Sequence, residues 1–129
     1  MKLVIGGAWQ GKRALAEARY GIPGDGWTDG EICSREEFGK AEAVCSLHAY
    51  IRRQMEQGTG MEVLAAEIEE RARRGLKIVT SDEVGYGVVP MDAKERAWRE
   101  ACGRICTRLA AVSDEVVRVC CGVGMVIKG

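Results

Sequence analysis

The chain has no excess of either charge, no long apolar run, only one histidine and no C-x-x-C pair. Lysine plus arginine and aspartate plus glutamate number 19 each, so no global field draws it to nucleic acid or to an anionic membrane. No apolar stretch approaches the ~20 residues that span a bilayer. The start, Met1-Lys2-Leu3-Val4-Ile5-Gly6, is too short for a secretory h-region, and a cytoplasmic location is expected. Six cysteines raise the question of disulfides or zinc, yet no C-x-x-C occurs. Cys102 and Cys106 stand at helical spacing, and Cys120-Cys121 lie in a valine-rich strand pattern. Free cysteine packs as a small hydrophobe, so buried reduced thiols are the first reading and a metal cluster the second.

What is present is a glycine loop. Gly6-Gly7-Ala8-Trp9-Gln10-Gly11-Lys12-Arg13 follows the apolar run Leu3-Val4-Ile5 and precedes the helical pattern Ala14, Leu15, Ala16, Ala18. It fits G-x-x-x-x-G-K-[ST] at every fixed position except the last. Glycines let the backbone turn its N–H groups toward phosphate oxygens, and the positive end of the next helix adds to that anion site. Lys12 would supply a point charge to the terminal phosphates. Arg13 stands where a hydroxyl normally holds Mg²⁺.

Helical periods alternate with short apolar runs along the rest of the chain, which predicts an α/β fold with a largely parallel sheet. Leu47, Tyr50, Ile51 and Met55 recur at helical spacing up to Gly58. Thr59-Gly60-Met61-Glu62 reads as a capping box for a helix with Met61, Leu64, Ala65, Ile68 and Ala72 on one face, closed by Gly75. Leu76 to Ser81 reads as a strand that runs into Asp82-Glu83. A second capping signature, Asp92-Ala93-Lys94-Glu95, opens a helix with Trp98, Ala101, Cys102, Ile105 and Leu109 on one face. Glu115–Cys121 reads as a strand, Gly122-Val123-Gly124 as a turn and Met125–Lys128 as a returning strand. Ala43-Val44-Cys45 reads as a brief strand, while 21–46 is open between an extra strand and irregular structure. There is no internal repeat. Ligands of open α/β sheets lie beyond the carboxyl ends of the strands, so the loop at 6–13 and the acidic turn at 82–83 are expected at one crevice.

The second half resembles one family of phosphate-loop enzymes. Ser81-Asp82-Glu83-Val84-Gly85-Tyr86-Gly87-Val88-Val89-Pro90 is similar to the [ST]-x-E-V-G-x-G-[IV]-V-P signature of the adenosylcobinamide kinase/adenosylcobinamide-phosphate guanylyltransferase family. Ala101-Cys102-Gly103-Arg104 through Leu109-Ala110-Ala111 resembles its A-G-R…LA helix. Asp114 to Val119, Gly122 and Ile127-Lys128-Gly129 resemble its closing D-x-V…V…G…LKG. The resemblance implies a RecA-like phosphate-loop fold of three layers, with a mostly parallel sheet and a C-terminal hairpin, formed by residues 1–129 as one nucleotide-binding domain. It implies ATP or GTP as cosubstrate and adenosylcobinamide as the corrinoid whose aminopropanol hydroxyl is phosphorylated in cobalamin biosynthesis. It also implies guanylyl transfer through a histidine and a homo-oligomer, typically a trimer.

On this reading Gly6, Gly7, Ala8, Trp9, Gln10, Gly11, Lys12 and Arg13 bind the nucleotide. Lys12 and Glu83 are the catalytic candidates, Glu83 as base or metal ligand, with a turn carboxylate or helix cap as its other reading. Mg²⁺ is compatible, but its usual ligands are replaced and no metal-binding residue is assigned. The family's V-D-C-L-T-L-W strand matches Val44-Cys45-Ser46-Leu47-His48-Ala49-Tyr50, with Cys45 in place of the aspartate. His48 aligns with a threonine, not with the guanylyl acceptor, and reads as a partly buried or interface histidine beside a catalytic alternative. Guanylyl transfer is therefore expected to be lost. A nucleotide-binding homologue without turnover is the alternative function. Trp98 reads as packing, and Trp9 as meeting a ligand or a neighbouring subunit. Arg52-Arg53 and Arg71-Arg73-Arg74 read as solvated faces. Arg104 reads equally as an internal ion pair or a phosphate contact.

Overall fold

A computed structural model of the chain describes residues 1–84 and 92–129. The stretch 85–91, with Gly85, Gly87 and Pro90 of the family-like signature, lies outside them. Six strands form one sheet: β1 (Lys2–Gly6), β2 (Thr28–Asp29), β3 (Ala43–Cys45), β4 (Ile78–Asp82), β5 (Glu115–Cys120) and β6 (Val123–Lys128). Their order is β2-β3-β4-β1-β5-β6, parallel except for the antiparallel β5–β6 pair.

Strand residues alternate between two faces, and each face is apolar, as a parallel sheet covered on both sides requires. Leu3, Val44, Val79 and Val116 face a core built with α3 (Leu47–Glu56), α4 (Met61–Arg74) and α5 (Ala93–Val112). Their neighbours Val4, Ala43, Ile78 and Val117 face the other way, onto Ala16 and Leu15 of α1 (Lys12–Tyr20). Helices thus cover both faces. Leu64, Ala65, Ile68 and Ala72 of α4 and Ala101, Cys102, Ile105 and Leu109 of α5 are the buried stripes of their helices. Among the described residues no helix is long and apolar enough to cross a membrane.

Segment 21–46 is structured. β2 pairs parallel to β3, and α2 (Arg35–Lys40) opens on a reciprocal cap between Ser34 and Glu37. Phe38 of α2 stacks on Tyr50 of α3, with ring centroids 4.3 Å apart. The box expected at Thr59 is not formed: Gly60 is the N-cap of α4 and no side chain caps it. Asp92 does cap α5, accepting from the Lys94 N–H at 2.8 Å. Glu95 turns aside to Arg52, 2.8 Å away.

The hairpin turn also differs from its expected place. Cys120 pairs with Val123, leaving Cys121-Gly122 as a two-residue turn with φ of 51° and 77°. Positive φ at both positions is the type I′ turn, whose twist suits a hairpin. β6 therefore starts at Val123, and all six of its residues are exposed.

Candidate functional site

The glycine loop leaves the carboxyl end of β1. At Gly6 a Cβ would lie 2.5 Å from the Val119 carbonyl oxygen of β5, so strand crowding excludes any side chain there. Trp9, at φ 63°, turns the loop outward and is 99% exposed. Gly11 takes the left-handed conformation (φ 85°) as the N-cap of α1, with no side chain capping the helix. The first amides of α1 are thus left without a side-chain acceptor where the helix dipole is positive, which suits an anion. Gln10 ties the loop to the hairpin turn. Its Oε1 accepts from the Cys121 N–H at 2.6 Å and its carbonyl from the Gly122 N–H at 2.9 Å.

Lys12 is 9% exposed. Its Nζ donates to the Gly7 carbonyl at 2.8 Å and lies 2.6 Å from Asp82 Oδ1. Asp82 ends β4 in register with Gly6, which brings its carboxylate across to the loop. The strand-end rule brings 82–83 to this edge, and the family resemblance singles out Glu83. The structure separates the two: Asp82 meets Lys12, whereas Glu83 Oε1 accepts from Arg118 Nε at 2.8 Å. The backbone of Glu83 stays at the crevice, donating to the Gly6 carbonyl at 2.7 Å. The alternation of β4 carried the signal that one of the two residues, and not both, would face Lys12.

His48 completes this cluster. Its Nδ1 accepts from the Asp82 N–H at 3.0 Å, and its Nε2 lies 3.4 Å from Asp82 Oδ2. An accepting Nδ1 places the proton of the neutral ring on Nε2. Burial pushes the imidazole below its ordinary value; Asp82 opposes that shift and Lys12 adds to it. Its backbone is anchored by Trp98, whose Nε1 donates to the His48 carbonyl at 2.9 Å. Trp98 in turn lies under the Arg52 guanidinium, 4.5 Å from the ring centroid.

A crevice of about 380 Å³ opens between the loop and the ends of β2, β3 and β4; Asp29, Glu31, Cys45, Ser46, Thr80 and Asp82 line its far side. Cys45 is 5% exposed, and burial, then the charge of Asp29, pushes its thiol pKa up. Arg13 reaches away from the loop centre: its Nη2 donates to the Gly24 carbonyl at 2.6 Å, and its guanidinium lies 5.8 Å from the Trp27 ring centroid.

These residues do not fit a protein-held Mg²⁺. Arg13 cannot ligate a cation, Cys45 offers a buried thiol to a hard ion, and both Asp82 oxygens already face cationic or N–H groups. Among the described residues no group of three or more His, Cys, Asp and Glu side chains could hold a metal. Arg104 pairs with Glu100 at 2.8 Å within α5, remote from the loop. Cys33, Cys45 and Cys102 are buried, Cys106 partly so, and Cys120 and Cys121 exposed. The expectation of buried thiols fails at these last two, because β5 ends and the hairpin turns where none of the described residues covers the sheet.

Fold and site together define a mixed α/β protein with a mostly parallel sheet and a glycine loop joining its first strand to a helix. The family model described as cobinamide kinase / cobinamide phosphate guanyltransferase matches residues 40–127, and the chain belongs to that family. The matched stretch contains Cys45, His48, Asp82 and Glu83; the loop at 6–13 precedes it. The bifunctional adenosylcobalamin biosynthesis protein CobU of Salmonella typhimurium is 43% identical over 51 residues, and that of Escherichia coli 39% over 51. Each alignment takes in 40% of this chain and 28% of the relative.

Proposed function

We propose that the loop at 6–13 binds the phosphates of ATP or GTP, and that the chain transfers a phosphoryl group to adenosylcobinamide in cobalamin biosynthesis. The observation that carries this reading is the Lys12 ammonium, held between the Gly7 carbonyl and Asp82 beside the uncapped start of α1. An incoming phosphate oxygen would replace Asp82 as the partner of Lys12, and the first amides of α1 would add to it. Phosphoryl transfer depends mainly on positioning and on stabilising charge, and these groups supply both. Glu83, one residue beyond Asp82 and held by Arg118, is proposed as acceptor of the alcohol proton. The sheet order, with β4 between β1 and β3, supports a RecA-like assignment. A single cytoplasmic domain, assembled as a homo-oligomer and possible trimer, completes the proposal on the strength of the family.

One observation favours the second reading, a nucleotide-binding homologue without turnover. Arg13 and Cys45 stand where metal contacts are expected, and Arg13 is committed to Gly24 and Trp27. The two readings part in one experiment. Calorimetry with ATP and with GTP measures binding, and adenosylcobinamide phosphorylation measures turnover. Binding with phosphorylation supports the enzyme, binding alone supports the homologue, and no binding overturns both. Guanylyl transfer is proposed to be lost, since both ring nitrogens of His48 face Asp82. After incubation with α-labelled GTP and denaturation, an acid-labile label that disappears in His48→Ala would overturn that part.

A further inference from the structure

We propose that Cys120 and Cys121 form a thiol–disulfide exchange site for low-molecular-weight disulfides, and that its oxidation loosens the glycine loop. The two thiols stand side by side at the tip of the β5–β6 hairpin, and both are exposed. Exposed thiols are the accessible ones for exchange. Cys121 occupies the first central position of a type I′ turn at φ 51°, where Asn, Asp or Gly is usual. A non-glycine residue is strained in that conformation, so turn formation does not explain the cysteine. The neighbouring Cys120 side chain is the first cause that pushes the Cys121 thiol above its ordinary value.

The same turn holds the glycine loop. Cys121 and Gly122 donate their backbone N–H groups to the side chain and carbonyl of Gln10. Anything that reshapes the turn therefore acts on the residue before Gly11, the N-cap of α1.

The chemistry balances with a disulfide as the oxidant. Cys120, deprotonated to solvent, attacks one sulfur of the disulfide, forming a mixed disulfide and releasing one thiolate. Cys121, deprotonated in turn, attacks the Cys120 sulfur, closes the Cys120–Cys121 bond and releases the second thiolate. The pair loses two electrons and two protons, and the oxidant becomes two thiols. Adjacent α-carbons lie ~3.8 Å apart, shorter than the ~4.4–6.8 Å that disulfides usually bridge. The ring is thus readily reduced, which makes a reversible bond rather than a structural one.

The test treats the purified protein with glutathione disulfide and reads two things: peptide masses without reduction, and hydrogen exchange of the amides at 7–12. The expected result is a Cys120–Cys121 peptide lighter by two hydrogens, or its mixed-disulfide precursor, with faster exchange in the loop by about tenfold or more. Dithiothreitol should reverse both. Cys121→Ser should stop at the mixed disulfide, and the double variant C120S/C121S should leave loop exchange unmoved by the oxidant. An unmodified pair overturns the proposal, and so does a modified pair with unchanged loop exchange. Neither readout requires nucleotide, so failure here is distinct from failure of the loop to bind ATP or GTP.

Discussion

The carboxyl ends of β3 and β4 lie side by side on the same crevice and carry opposite solutions. β4 ends in Asp82, a carboxylate placed between the Lys12 ammonium and the His48 ring. β3 ends in Cys45, a buried thiol whose neighbour in the sheet is Asp29. Asp82 has the Lys12 ammonium and the His48 ring beside its carboxylate, whereas Cys45 is a neutral group. Burying an ion is costly unless it is paired, and the two strand ends obey that rule.

The sharpest way to break this contrast is to charge the neutral strand. Cys45→Asp should lower stability by about 2–3 kcal/mol near neutral pH. The loss should shrink on acidification, because a carboxyl buried beside Asp29 takes up a proton more readily in the folded chain. Urea midpoints across pH measure it, and a variant as stable as the parent would show that the crevice tolerates charge without a partner. Next in size is removal of the cation at β4. Lys12→Ala should weaken ATP or GTP binding at least tenfold, about 1.4 kcal/mol, by calorimetry; unchanged affinity would separate the loop from nucleotide.

A smaller effect is expected at the third member of the cluster. Burial, the leading cause, sets His48 below its ordinary 6.5 in the folded chain. As pH falls below that ordinary value, the unfolded chain binds a proton that the folded chain refuses. The contribution of His48 is therefore full above that value and is lost as pH falls through the depressed folded one. His48→Gln, which keeps an acceptor for the Asp82 N–H, should flatten the decline in urea midpoint between about pH 7.5 and about pH 5.5. An undiminished slope would assign that decline to other groups. The smallest change concerns the neighbour that does not meet Lys12. Glu83→Gln should alter nucleotide affinity by less than about twofold, roughly 0.4 kcal/mol, while lowering phosphoryl transfer. A loss of affinity as large as that of Lys12→Ala would make Glu83, not Asp82, the partner that matters.

Much of this architecture was legible because periodicity reports burial. The alternation of Leu3 with Val4 and of Val116 with Val117 marks a sheet covered on both faces, and the stripe Leu64, Ala65, Ile68, Ala72 marks the core side of a helix. Segment 21–46 was harder, because β2 has two residues and α2 only six, too short for a period to show. Its start was nonetheless written in Ser34-x-x-Glu37, whereas the similar signature at Thr59 failed when Gly60 became the N-cap. The hairpin turn was misplaced because Cys-Gly is not a usual type I′ pair. At the site, chain spacing brought 82–83 to the loop but could not say which carboxylate would face it. Nor could it place His48, which reaches Asp82 from a different strand–helix junction.

The crowding at Gly6 has a consequence for tracing descent. A side chain at that position collides with the Val119 carbonyl whatever the loop binds. At Gly7 the nearest group to an added Cβ is the flexible Gln10 side chain, 3.7 Å away. A lineage that abandoned nucleotide would still be compelled to keep the first glycine, while the second could drift. The first glycine is then a fossil of sheet packing and carries no news about ligand, whereas Gly7 together with Lys12 is where a change of occupation would leave its mark.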